Sequence, residues 1–153
     1  MKITLALLLA AFLFTTNNHK SASVFISPVS PDFEIVSDFG MRTHPILNTH
    51  RFHSGVDFNV PVNTTVFAAA DGVVSFVGET EVDGLKVIIT HENGFETEYA
   101  HLSAFNVETG RSIKQGDEIA KSGQTGIAQN VVLHFSIKKD GEFVDPEGFI
   151  YNK

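Results

Sequence analysis

Leu85-Lys86-Val87-Ile88-Ile89-Thr90-His91 and Phe95-Glu96-Thr97-Glu98-Tyr99-Ala100-His101 are two short runs rich in β-branched and aromatic residues, on either side of Asn93-Gly94. Asn-Gly suits a tight hairpin because both residues tolerate positive φ. The same arrangement recurs outward along the chain. Residues 65–69 and 72–78 flank Asp71-Gly72, and residues 131–138 and 142–144 flank Asp140-Gly141. Residues 113–121 hold Gln115-Gly116-Asp117 before Glu118-Ile119-Ala120, a turn feeding a further strand. No stretch sustains a helical period. The expectation is an all-β unit, a meander of antiparallel hairpins.

The flanks divide the 153 residues further. Lys2 precedes an apolar run over 3–14, shorter than the roughly 20 residues that span a bilayer as a helix, and Ser21 and Ser23 are small. This resembles a secretory signal peptide, expected over 1–23 with cleavage after Ser23. Residues 24–32, with two prolines and two serines in 24–31, read as a short, loosely held extended leader. Residues 33–150 then form one domain, long enough to bury a core without staples. The 14 phenylalanines are expected to supply much of that core, since tryptophan is absent.

Composition excludes several classes of function. The net charge of −7 opposes nucleic-acid or anionic-membrane binding. Having no cysteine removes lipid-modified cysteine anchors, thiolate metal sites and cysteine nucleophiles, leaving any metal to histidine and carboxylate. The mature chain is expected free of a stable membrane anchor, secreted or periplasmic.

Arg51-Phe52-His53-Ser54-Gly55-Val56-Asp57 is where a histidine and a carboxylate stand four residues apart. In one extended segment both would point to the same face, with Gly55 leaving that face open. Alone, the pair reads equally well as a solvated loop. In Val131-Val132-Leu133-His134-Phe135-Ser136-Ile137-Lys138, alternate residues Val131, Leu133, Phe135 and Ile137 form an apolar face, and His134 falls on the other face with Ser136 and Lys138. His101 closes the strand that starts at Phe95, and residues 43–52, with His44 and His50, read as a loop.

Taken in order, Ser37-Asp38-Phe39-Gly40-Met41-Arg42, His53-Ser54-Gly55-Val56-Asp57, Ala69-Ala70-Asp71-Gly72-Val73-Val74, Tyr99-Ala100-His101-Leu102-Ser103, Gly123-Gln124-Thr125-Gly126 and Leu133-His134-Phe135 resemble the M23 zinc metallopeptidases, the lysostaphin and LytM-like peptidoglycan endopeptidases. The resemblance covers residues 33–150. It implies antiparallel β-sheets in a sandwich or open-barrel arrangement, with long loops around a metal groove. It also implies Zn2+ held by His53, Asp57 and His134, and His101 as a catalytic histidine beside the metal that either orients or deprotonates water or stabilises an oxyanion. Three protein ligands with a fourth position open suit a hydrolytic zinc. The implied substrate is a peptidoglycan peptide.

One position departs from that family's pattern. Where a second catalytic histidine is expected, two residues before the last ligand, this chain has Val132, and Gln129-Asn130-Val131 precede it in place of Thr-Gly-Pro. Valine neither accepts nor donates a proton. His44, His50 and His91 are the candidates to replace the missing group, His44 foremost for its place ahead of the first ligand motif. Two functions stay open: a zinc endopeptidase with reduced activity, or a zinc-binding relative that docks wall peptides or regulates another hydrolase through a protein partner. Zinc that only ties loops fits less well, because structural zinc normally takes four protein ligands. Tyr99 reads as packing or as a substrate contact. Arg42 reads as a brace for Asp38, a contact for a substrate carboxylate, or a solvated charge.

Overall fold

Eleven residues, Phe95–Phe105, make the longest strand, β8, and the other elements arrange themselves along it. The computed structural model describes residues 25–43 and 46–151. The expected signal peptide over 1–23, its cleavage after Ser23, and His44 lie outside the described residues. Among the described residues no helix is long and apolar enough to cross a membrane.

The first half of β8 pairs on one side with β7, Gly84–Thr90, and on the other with β11, Val132–Lys139. Its second half pairs with β10, Glu118–Ser122, which in turn pairs with β5, Thr65–Phe67. Beyond β11 lies β4, Val56–Asn59, then the edge strand β1, Ile35–Ser37; beyond β7 lies β6, Gly72–Thr80, then β9, Ser112–Ile113. The short β12, Glu142–Val144, pairs with β11. Separately, β2, Gly40–Thr43, and β3, His50–His53, form a two-stranded sheet. All these pairings are antiparallel. The described helix is one turn, α1, Glu147–Ile150, besides a 3-10 turn at Glu92–Gly94. The all-β expectation holds.

Two of the three hairpins form as expected. Asp140 and Gly141 have φ of 51° and 85°, the left-handed pair that a two-residue turn needs, and they join β11 to β12. Asn93 and Gly94, at 58° and 74°, turn β7 into β8. The hairpin expected at Asp71-Gly72 is a correction: β5 pairs with β10, and β6 pairs with β7 and β9. Gly72 is needed for close approach, since a Cβ there would lie 2.5 Å from the Thr90 carbonyl oxygen. Asp71 is a clasp instead, its carboxylate accepting from the Gln115 N–H (2.8 Å) and Lys114 Nζ (2.9 Å).

The core lies between the inner faces of these strands. Leu133, Phe135 and Ile137 of β11 are fully buried, as their alternation requires, and Val56 and Phe58 of β4 join them. Val131 is only half-buried and precedes the strand. The N-terminal leader corrects a second expectation. Phe25 and Val29 are buried in the core; Ile26 N–H donates to Ala69 C=O (2.9 Å), and Phe67 N–H donates to Pro28 C=O (2.8 Å). Phe25 stacks edge-on against His91, Phe95 and Phe149. Its ring is large enough that burial outweighs the cost of ordering a short extended segment.

Candidate metal centre

His53 ends β3 and Asp57 stands in β4, so the two do not share one extended segment as expected. The chain turns at Ser54-Gly55, and the side chains still converge. Gly55 is required for a different reason from an open face: a Cβ there would lie 2.2 Å from the Phe135 carbonyl oxygen and 2.6 Å from Ser136 Oγ. That close approach seats the turn against β11, where His134 is directly opposite Asp57.

Asp57 Oδ1 lies 2.8 Å from His134 Nδ1 and 3.2 Å from His53 Nε2, and the two nitrogens are 3.1 Å apart. Two imidazole nitrogens and a carboxylate oxygen are the donor types zinc takes. Donors about 2.0–2.1 Å from a tetrahedral ion stand about 3.3 Å from one another. The triad therefore fits zinc in both chemistry and spacing. All three side chains are largely buried, at 12–19% exposure. Burial works to raise the Asp57 carboxyl, but hydrogen bonds with His134 and His53 outweigh it and hold the group well below the usual carboxylate range.

Each ring is fixed from behind. His53 Nδ1 donates to the Asp38 carbonyl (2.7 Å), which also accepts from Arg42 Nη2 (3.0 Å) beside the same ring nitrogen. His134 Nε2 lies 2.9 Å from Ser136 Oγ, which can accept from it when Nδ1 presents its lone pair to a metal instead of a proton to Asp57. The sequence placed Ser136 on the His134 face. Asp38 was marked there only as an acid for Arg42 to brace, whereas it acts through its backbone carbonyl.

His101 stands nearby, with its ring centroid 6.0 Å from that of His134. It sits at a bulge: Leu85 pairs with Leu102 and Val87 with Tyr99, leaving Ala100 and His101 against Lys86 alone. Its φ is 59°, a left-handed conformation uncommon for a side-chain-bearing residue. Two carbonyls hold it there: His101 N–H donates to Asp83 C=O (2.7 Å), and Nδ1 donates to Thr125 C=O (2.9 Å). Thr125 Oγ1 in turn accepts from Leu85 N–H and donates to Leu102 C=O, locking its loop to β7 and β8. Burial lowers the His101 pKa, and the Thr125 hydrogen bond only partly opposes it. The ring is accordingly neutral at pH 7, with Nε2 as an acceptor.

A groove of about 710 Å³ runs over these residues, walled by Val36, Arg42, Arg51 and Phe52 and by Val82, Ile127, Gln129 and Asn130. Residues 51–146 match the model of peptidase family M23. The chain belongs to peptidase family M23.

Among M23 relatives, the DD-carboxypeptidase/endopeptidase Mpg of Neisseria meningitidis serogroup B is 45% identical over 112 residues, covering 73% of this chain and 26% of its own length. The peptidoglycan DD-endopeptidase ShyA of Vibrio cholerae is 35% identical, covering 72% of this chain and 26% of its own length. The chain spans about a quarter of the length of these curated relatives. A zinc-containing peptidase from Vibrio cholerae superposes with a TM-score of 0.76 at 32% identity, covering 80% of this chain and 39% of that one. The mostly antiparallel, nearly helix-free architecture is that of the M23 peptidases.

Within this M23 groove, Val132 lines the same hollow as His101 and His134. Neither His50 nor His91, the described candidates to replace a histidine at position 132, lines the groove. His50 is exposed on β3 and paired with Thr43 Oγ1 (3.1 Å), so residues 43–52 are half hairpin, not a plain loop. His91 is buried on the Phe25 side, donating from Nδ1 to Asp71 C=O (2.7 Å) with Nε2 2.7 Å from Thr97 Oγ1. Tyr99 is wholly buried, its hydroxyl accepting from Ala69 N–H (2.9 Å). It is a packing residue and touches no groove.

Proposed function

We propose that the chain is an exported zinc metalloendopeptidase acting on peptide cross-links of peptidoglycan in the bacterial envelope, with residues 1–23 removed, 24–32 as its leader and 33–150 as its catalytic domain. His53, Asp57 and His134 are its metal ligands, and His101 is its catalytic residue. The observation that carries this is the convergence of three donor atoms from three strands, 2.8 to 3.2 Å apart, at the floor of one groove.

A zinc held there supplies Lewis acidity for a scissile carbonyl. The protein residues do the rest. Asp57 stays ionised and offsets part of the metal charge. Asp38 and Ser136 keep the two imidazoles in the tautomers that present a lone pair. His101 Nε2, unprotonated because Nδ1 donates to Thr125, accepts a proton from an attacking water and does not serve as an oxyanion donor. The groove wall of Val36, Phe52, Val82 and Ile127 limits water around the peptide.

A second function rests on Val132. An apolar side chain lining the same groove as His101 and His134 offers no hydrogen bond where charge develops, which favours a slow enzyme or a peptide-docking regulator. The test is mass spectrometry of purified, cross-linked muropeptides incubated with the zinc-loaded chain. Zinc-dependent scission of the cross-link, falling about 100- to 10,000-fold in His101→Ala, is expected. Scission seen only in Val132→His assigns the natural chain to the docking function; scission in neither contradicts the peptidase reading.

A further inference from the structure

Arg42, one of whose readings from the sequence is a contact for a substrate carboxylate, has a twin in the fold. In the β2–β3 sheet, Arg42 is registered directly opposite Arg51. Both are exposed, and both line the groove that contains His53, Asp57, His101 and His134. Like charges directly opposite one another in a two-stranded sheet are destabilising; Arg42 Nη2 donates to the Asp38 carbonyl (3.0 Å), a neutral acceptor that does not cancel its charge. Among the described residues neither arginine forms an ion pair. The acids that do pair are engaged elsewhere: Asp83 and Glu98 with lysines, Asp71 with Lys114, Glu118 with Lys121, Asp140 with Lys139, and Asp57 with the two histidines. This occurs in a chain with 18 acidic and only 11 basic side chains, where a neutralising neighbour would be easy to place.

Two arginines at facing positions of one sheet match one ligand chemistry well. Their planar donor forks suit a carboxylate, which accepts two parallel hydrogen bonds and cancels their mutual repulsion. Arg51 precedes His53 by two residues on β3, so both project to one face about 7 Å apart along the strand. An extended peptide advances by the same rise per residue, so a group on the arginines belongs to a residue one or two positions from the bond over the metal centre.

We propose that Arg42 and Arg51 form a carboxylate subsite beside the metal centre, which selects peptides carrying a free carboxylate within two residues of the scissile bond. This rests on the peptidase reading for the position of that bond, but not for the binding itself. The carboxylate has two sources, the α-carboxylate of a chain end or the side-chain carboxylate of an acidic residue.

The experiment is calorimetric binding to the full zinc-loaded chain of a synthetic D-alanine-containing pentapeptide in four forms: both carboxylates free, the terminal one amidated, the side-chain one amidated, and both amidated. The subsite predicts that amidating one of the two sources, and so also both, weakens binding about 10- to 100-fold. Arg51→Gln should abolish that preference and Arg51→Lys should retain part of it. Arg51→Gln should also keep one zinc per chain and melt no lower than the natural chain, since it removes a repulsion. Equal binding of all four forms, no form binding below about 1 mM, or an undiminished acid preference in Arg51→Gln overturns the subsite. Acid preference without cross-link scission leaves the subsite standing and removes only the peptidase reading. Scission without acid preference does the reverse.

Discussion

A histidine that commits one ring nitrogen to a carbonyl or hydroxyl has a single nitrogen left to offer, and His53, His101 and His134 are all in that position. For His134 the holder is a side chain, so it can be removed. Ser136→Ala should weaken zinc binding about 10- to 100-fold in a chelator competition, the usual effect of losing a partner behind a ligand; unchanged affinity would mean that packing alone orients the ring. For His101, burial lowers the pKa, so the neutral, proton-accepting ring persists into more acidic solution than a free imidazole would allow. The acid limb of kcat/KM should therefore fall below about pH 6.5. A limb at or above that value would remove His101 from the role of base. The three side chains whose donor atoms converge, His53, Asp57 and His134, were legible in the sequence. Their orienting partners Asp38 and Thr125 were not, because a backbone carbonyl leaves no mark on residue type.

At the scale of elements, the groove-side face of the sheet holds a cross-strand charge cluster beneath the site. Glu98 on β8 is buried between Lys86 of β7 (2.7 Å) and Lys138 of β11 (2.5 Å), and Lys86 also reaches Asp83 (2.9 Å). Burial works to raise the Glu98 pKa, but the two lysines outweigh it and the carboxyl is held below its ordinary value. A carboxylate whose folded pKa is depressed contributes stability above its unfolded pKa of about 4.3 and loses it as pH falls through the folded value. Glu98→Gln should therefore cost about 3 kcal/mol at pH 7, the lower end for breaking a buried pair. The difference from wild type should shrink in urea melts below about pH 4. A pH-independent difference would mean that Glu98 acts through packing alone. The elements themselves were largely readable: Asn93-Gly94 and Asp140-Gly141 turned as their residues require. Asp71-Gly72 misled because an Asp-Gly pair looks the same whether its glycine supplies positive φ or simply makes room, as it does beside Thr90.

Over the whole molecule, the leader is part of the fold and not a tether. Phe25 fills the space between His91, Phe95 and Phe149, and Val29 is buried as well. Phe25→Ala should destabilise the chain by about 3–5 kcal/mol in chemical denaturation, the cost of emptying a buried aromatic site; a loss below about 1 kcal/mol would return the segment to a loosely held leader. Composition pointed the other way, since prolines and serines at 27–31 look like a linker, while the two apolar residues that anchor it are too few to give a period. The all-β architecture was legible because alternation and turn chemistry agree over most of the chain. The pairing of β8 with β11 and β10 was not, because register between distant strands is decided by packing that no local pattern records.

The central claim is that β3, β4 and β11 bring one zinc centre together, and counting metal tests it most directly. Chain stripped of metal, reloaded with zinc, passed through a desalting column and measured by elemental mass spectrometry should carry one zinc per molecule, and His134→Ala and Asp57→Ala should each carry almost none. Zinc absent from the natural chain, or retained in full by both variants, would contradict it.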